Sequence, residues 1–196
     1  RVPEAAMSGV EIIAIGASLG GLRALRILLS GLPAELPASV VVVQHRRADP
    51  DSRLGYLLSR ECALPVIEPE DKLPLELGHV YLAPSDYHML VERGWLALSV
   101  DAPVQYARPS IDVLFESVAD AYGAAAVGVM LTSSSADGAA GAAAIKGAGG
   151  HMLVQDPATA ESPIGPRAVI ERAAVDAVLG LEQLADALIA LCRSAP

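Results

Sequence analysis

Residues 10–21, Val-Glu-Ile-Ile-Ala-Ile-Gly-Ala-Ser-Leu-Gly-Gly, constrain the fold more than any other stretch of the chain. An apolar run of strand character ends in a glycine-flanked serine. It then passes directly into the helical spacing of Leu22, Leu25, Leu28 and Leu29. Gly16-Ala17-Ser18-Leu19-Gly20 fits the G-x-S-x-G elbow, a sharp strand-to-helix turn that lifts a hydroxyl clear of a sheet. The turn also sets that hydroxyl at a helix N-terminus, where free N–H groups can face a developing oxyanion.

The remaining sequence alternates strand-like and helix-like segments, which predicts a layered α/β domain. Ile12–Ile15 and the unbroken β-branched run 39–44 (Ser-Val-Val-Val-Val-Gln) read as parallel strands buried on both faces. Residues 126–131 and 152–155 read the same way, with helices predicted over 22–29, 51–60, 110–122, 137–148, 167–174 and 181–192. Asp49-Pro50 is the start signal for the second of these, and Ser110 the N-cap of the third. Residues 79–83, 87–92 and 96–100 are short strands, the last two joined at Arg93-Gly94. They predict an antiparallel hairpin at one edge of the parallel sheet. Residues 156–166 read as a proline-containing loop.

With 196 residues the chain can bury a substantial core, which at 53% hydrophobic but 4% aromatic residues must be built from Ala, Val, Leu and Ile. A mean hydropathy of +0.42 raises the question of membrane insertion. Every apolar run is broken by Gly, Pro or a charge well before the roughly 18 residues a span requires, so no membrane insertion is expected. Residues 1–7 lack the apolar segment of a secretory signal. Cys62 and Cys192 form no metal or redox spacing and read as thiols in a reducing cytoplasm. A net charge of −9 argues against nucleic acid as a partner, while leaving local basic patches open.

Sites in open α/β sheets collect outside the carboxyl ends of the strands. Ser18, His45 and Asp137 each follow a predicted strand, so parallel strands bring all three to one edge. This is the requirement for nucleophile, base and orienting carboxylate. Each also has an ordinary structural role open to it: Ser18 as an N-cap, His45 as a solvated strand-end histidine, Asp137 as a cap of the next helix. A dinucleotide site would need glycine at Ser18 and an acidic residue where Gln44-His45 stands, and both departures count against one.

In the order of these segments the chain resembles the catalytic domain of the chemotaxis protein-glutamate methylesterases, the CheB family. The resemblance runs from about Val10 to Leu191. It rests on Gly16-Ala17-Ser18 with Gly20-Gly21, Val42-Val43-Gln44-His45, Gly78 to Pro84, Arg108 to Asp112, Asp137-Gly138-Ala139 with Gly141, and Gly149-Gly150 with Gln155-Asp156. It implies a doubly wound, mostly parallel α/β domain with helices on both faces, residues 1–196 forming one such domain. It implies Ser18, His45 and Asp137 as the catalytic triad, with no metal and no cofactor. It further implies hydrolysis of glutamate γ-methyl esters, and deamidation of certain glutamines, on the cytoplasmic domain of methyl-accepting chemoreceptors. The family joins this domain to an N-terminal receiver domain. None is present here, so the chain reads as an excised domain or a stand-alone or fused relative.

Departures from the family pattern fall on the site lining. Leu19 replaces Thr, Ser133-Ser134-Ser135 replaces Gly-Met-Gly, Ile164-Gly165 replaces Gly-Met, and Arg46-Arg47 replaces Met-Pro. If the two lost glycines served positive φ, each serine costs roughly 1 kcal/mol. The backbone N–H of Leu19 is the expected oxyanion donor, and Ser134 is expected in the site lining. Arg46 and Arg47, with Arg23 and Arg26, read as solvated charge or as a basic patch for an acidic receptor helix. The serine triplet also leaves a non-catalytic, receptor-binding relative as the alternative function.

Overall fold

A computed structural model describes residues 9–47 and 53–193. The start signal Asp49-Pro50 and residues 1–7 lie outside them. Seven strands form one sheet: β1 (Ile12–Ala17), β2 (Ser39–Gln44), β3 (Val66–Ile67), β4 (Val80–Leu82), β7 (Ala126–Met130), β8 (His151–Gln155) and β9 (Ala177–Leu179). Their order is β3-β4-β2-β1-β7-β8-β9, and every neighbouring pair is parallel. The chain lays β2, β3 and β4 on one side of β1, with β4 filling the place between β2 and the edge strand β3, and then returns to build β7, β8 and β9 on the other, so the topological switch falls between β1 and β7.

Among the described residues six α-helices cover the sheet: α1 (Gly21–Ser30), α2 (Leu54–Ser59), α3 (Ile111–Tyr122), α4 (Ala139–Gly147), α5 (Ile164–Arg172) and α6 (Leu181–Arg193). Alternation along the strands sorts side chains into two cores. Ile13, Ile15, Val40 and Val42 meet Leu25 and Leu28 of α1 and Leu184 and Leu188 of α6. Ile12, Ala14, Val41 and Val43 meet Leu114 and Phe115 of α3, Ile145 of α4 and Val169 of α5. Both strand faces are covered, which is why these strands are apolar throughout.

β5 (His88–Glu92) and β6 (Trp95–Ser99) pair antiparallel, as expected, but as a separate two-stranded sheet. Met89, Val91 and Leu96 pack into the α3-side core. Residues 72–75 occupy the free edge of β6, with Leu96 N–H donating to Leu73 O (2.9 Å) and Lys72 N–H to Leu96 O (2.8 Å). The hairpin thus lies over α3 and does not prolong the parallel sheet. The loop predicted over 156–166 also ends early, because α5 begins at Ile164. Pro166 sits in its first turn, where a backbone N–H has no intrahelical partner to lose.

Candidate active site

β2, β1 and β7 are adjacent, and their registers pair Ala17 with Gln44 and Gly16 with Met130. Ser18 and His45 therefore leave the sheet side by side. The backbone fixes both: Ser18 N–H donates to Thr132 O (3.0 Å) and His45 N–H to Ala17 O (2.9 Å).

The glycines of the first turn are required by one left-handed φ and one close approach. Gly20 is the residue before α1 and adopts φ +78°, a left-handed conformation that glycine takes without strain. At Gly21 a Cβ would lie 1.9 Å from Gln44 Oε1. Gln44 is needed there, since its amide donates to Ser18 O (2.8 Å) and His45 O (2.9 Å) and so ties the two strand ends together.

His45 Nε2 and Asp137 Oδ2 are 2.7 Å apart. Asp137 is completely buried and also accepts from Ser110 Oγ (2.8 Å), Ile111 N–H (2.7 Å) and Asp112 N–H (3.0 Å). The last two are among the first N–H groups of α3, so Asp137 caps that helix from a distant loop. Burial, the largest influence, pushes its carboxyl upward. The bonds from His45, Asp112, Ile111 and Ser110 outweigh burial and hold it below the usual carboxylate range.

Asp112 repays the arrangement. Its Oδ1 accepts from Gly138 N–H (2.9 Å) and Gly141 N–H (2.8 Å) at the start of α4, while Oδ2 accepts from Gln105 (2.6 Å). Burial pushes this carboxyl up, and the neighbouring Asp137 charge adds to the rise.

Ser18, His45, Arg47 and Ser134 line a cleft with two lobes, about 530 and 840 Å³. Ser18 Oγ makes no hydrogen bond among the described residues, so no direct bond joins it to His45. The N–H groups of Leu19, Gly20 and Ser134 are also unclaimed there. Leu19 has an exposed side chain, while its carbonyl accepts from Thr132 Oγ1 (2.8 Å).

None of Ser133, Ser134 and Ser135 adopts a positive φ, so the expected strain of losing two glycines does not arise. The hydroxyls brace the loop instead. Ser133 Oγ bonds both the N–H and the carbonyl of Ser135 (3.2 Å each), and Ser135 Oγ accepts from Asp137 N–H (3.0 Å). Ser134 points into both lobes.

The basic patch divides. Arg46 pairs with Glu68 (3.1 Å) and donates to Ala83 O (2.8 Å), and Arg26 pairs with Glu61, so neither is a free surface charge. Arg47 and Arg23 line the cleft without an ion pair among the described residues. Two supporting residues carried no distinct functional signal in the sequence. Ser110 could be read there only as an N-cap. His88, buried, accepts from Ser110 N–H through Nδ1 (3.2 Å) and donates from Nε2 to Ala102 O (3.2 Å).

The chain is similar to known proteins along most of its length. The sequence profile of the CheB methylesterase family matches residues 13–188. A Leptospira interrogans relative bearing the name protein-glutamate methylesterase/protein-glutamine glutaminase is 41% identical over 182 residues, 92% of this chain and 94% of that protein. The protein-glutamate methylesterase/protein-glutamine glutaminase 2 of Anaeromyxobacter dehalogenans is 44% identical over 184 residues. That alignment takes in 94% of this chain but 54% of the relative, so the chain spans about half of that protein. The crystal structure of the Thermotoga maritima CheB methylesterase catalytic domain superposes with a TM-score of 0.88 at 32% identity, over 93% of this chain and 99% of that one. The chain therefore belongs to the CheB methylesterase family, a family of ester-hydrolysing enzymes.

Proposed function

We propose that this protein is a serine esterase that removes methyl groups from glutamate γ-methyl esters on the cytoplasmic helices of chemoreceptors, in chemotactic adaptation. The observation that carries this reading is the 2.7 Å contact of His45 with buried Asp137 at the rim of the cleft that holds Ser18. With Nε2 committed to Asp137, Nδ1 is the ring nitrogen that takes the Ser18 proton as Oγ attacks the ester carbonyl. The hydroxyl holds no bond among the described residues and can turn toward that nitrogen. Catalytic hydrogen bonds in empty sites often close only when substrate arrives.

The oxyanion of the tetrahedral intermediate draws on the unclaimed N–H groups of Leu19 and Ser134. His45 then gives its proton to the departing methanol, leaving an acyl-Ser18 ester. Water, deprotonated by His45, splits that ester and releases the glutamate carboxylate. Asp137 stays ionised, orients the imidazole and stabilises its charged form. The same route with ammonia as leaving group deamidates a glutamine. Arg47 and Arg23, which line the cleft with no ion pair among the described residues, face an acidic receptor surface. A receiver domain in the same polypeptide is the expected regulator.

The test is methanol release from a methylated receptor cytoplasmic fragment, run beside labelling by a fluorophosphonate. Labelling and turnover that both vanish in Ser18→Ala support the esterase. A folded protein that takes no label and releases no methanol is a binding module instead.

A further inference from the structure

Four described residues other than glycine adopt a left-handed φ: Lys72, Asp86, Gln105 and Tyr106. Three of these, Asp86, Gln105 and Tyr106, line the smaller lobe beside Ser18 and His45. Left-handed backbone is unfavourable for L-residues, and strain of this kind gathers where a surface must be held in one shape.

Gln105 (φ 47°) and Tyr106 (φ 65°) form the tip of a two-residue hairpin. Val104 N–H donates to Ala107 O (3.0 Å), and Ala107 N–H to Val104 O (2.9 Å). Turns of this kind favour Asn-Gly, so Gln-Tyr at the tip is held by its surroundings. Gln105 is tied to Asp112, the carboxylate that caps α4 next to Asp137. Arg108 donates to Val100 O (2.7 Å) and Asp101 O (3.0 Å), and clamps Asp86 Oδ1 through Nε and Nη2 (3.0 and 2.7 Å). Pro103 and Pro109 flank the turn.

The backbone of this turn and the Gln105 side chain are fastened, and the Tyr106 side chain is not. That residue is 104% exposed, and its ring and hydroxyl touch no partner among the described residues. A large ring on a rigid mount loses little conformational freedom when it is covered, which is the economy of an aromatic anchor at a binding surface. Leu19 and Leu22, both exposed, line the other lobe. The Ser18–His45 pair thus lies between an aromatic rim and an aliphatic one.

We propose that Tyr106 is a specificity-determining residue that grips the protein helix carrying the ester, against an apolar position beside the esterified glutamate, with Leu19 and Leu22 receiving the other side. This rests on the esterase reading and deepens it, because it names what distinguishes a helix-borne ester from a small one.

The experiment compares a methylated receptor cytoplasmic fragment with p-nitrophenyl acetate as substrates. Tyr106→Ala should raise KM for the fragment about tenfold while kcat holds, so the preference for the fragment over the small ester falls by the same factor. Tyr106→Phe should restore it, since the ring does the gripping. Tyr106→Asn guards against collapse of the turn, because Asn accepts left-handed φ readily; it should match Tyr106→Ala. A KM for the fragment within twofold of the parent in both ring-deleted variants overturns the inference. So does a loss in Tyr106→Asn that is equal on both substrates. Failure of the parent protein to take a fluorophosphonate at Ser18 would overturn the esterase reading itself, and this inference with it.

Discussion

The two ends of the candidate site are built on opposite plans. At the carboxylate end nothing is left to arrange: each oxygen of Asp137 takes two contacts, from Ser110 Oγ and Asp112 N–H on one side and from Ile111 N–H and His45 on the other. At the hydroxyl end almost everything is unspent. Ser18 Oγ and the N–H groups of Leu19 and Ser134 have no protein partner among the described residues. The contrast follows the order in which bonds are needed. In the proposed esterase the orienting carboxylate must be fixed before substrate arrives, whereas the proposed nucleophile and oxyanion donors act only on a group that is not yet there.

The largest effect should come from breaking the finished end. Asp137→Asn keeps the shape but presents an amide to His45, and kcat should fall by about 10⁴-fold in a receptor-fragment assay. The same variant tests the acid limb of stability. The Asp137 carboxyl lies below its ordinary value of 3.8 in the folded protein. It therefore contributes stability that is complete above that value and is lost as pH falls through the lower, folded one. Urea titrations between pH 2 and 7 should show a fall below about pH 4 that is shallower in Asp137→Asn.

Next come changes that disturb one end at a time. Gly21→Ala drives a methyl group into Gln44, loosening the tie between Ser18 and His45. It should destabilise by about 1–3 kcal/mol and lower kcat, whereas Gly147→Ala, with nothing within 4 Å of the new methyl, should stabilise by about 0.4–1 kcal/mol. Ser110→Ala removes both the cap of α3 and one contact to Asp137. A loss of about 1–2 kcal/mol is expected. Should kcat survive intact, the four-contact description of the carboxylate end would be more elaborate than catalysis needs.

These two ends were not equally legible in the sequence. The strand, glycine turn and helix around Ser18 are local, so periodicity and residue type expose them, and the β-branched run before His45 does the same. What surrounds Asp137 is assembled across 25 to 92 residues of chain, as in the bonds from Asp112 and His45. Local pattern could name Ser110 a cap, yet it could not say that its hydroxyl also reaches Asp137. Arg46 read as a surface cation because Glu68, after β3, and Ala83, after β4, come to it only through the strand order β3-β4-β2. β3 and β9, of two and three residues, are too short to show any period. The prolines near 163–166 hid the start of α5 because a proline in the first helical turn looks like one in a loop.

The smallest expected effect separates the two buried carboxylates that sit back to back behind His45. Asp112 is displaced oppositely to Asp137: burial, and then the Asp137 charge, raise it above its ordinary value of 3.8. The sign reverses accordingly. A folded-state carboxyl that holds its proton more tightly than the unfolded chain makes the protein lose stability as pH rises from 3.8 through the folded value. Asp112→Asn should abolish that decline. It leaves an oxygen for the N–H groups of Gly138 and Gly141, and Gln105 can turn its amide to suit. In Asp137→Asn the same decline should shrink without vanishing, because only the charge contribution is gone while the burial remains. A decline above pH 3.8 that is identical in the parent and in both variants would mean that Asp112 is solvated in the working protein, and that the carboxylate end is less closed than its hydrogen bonds make it.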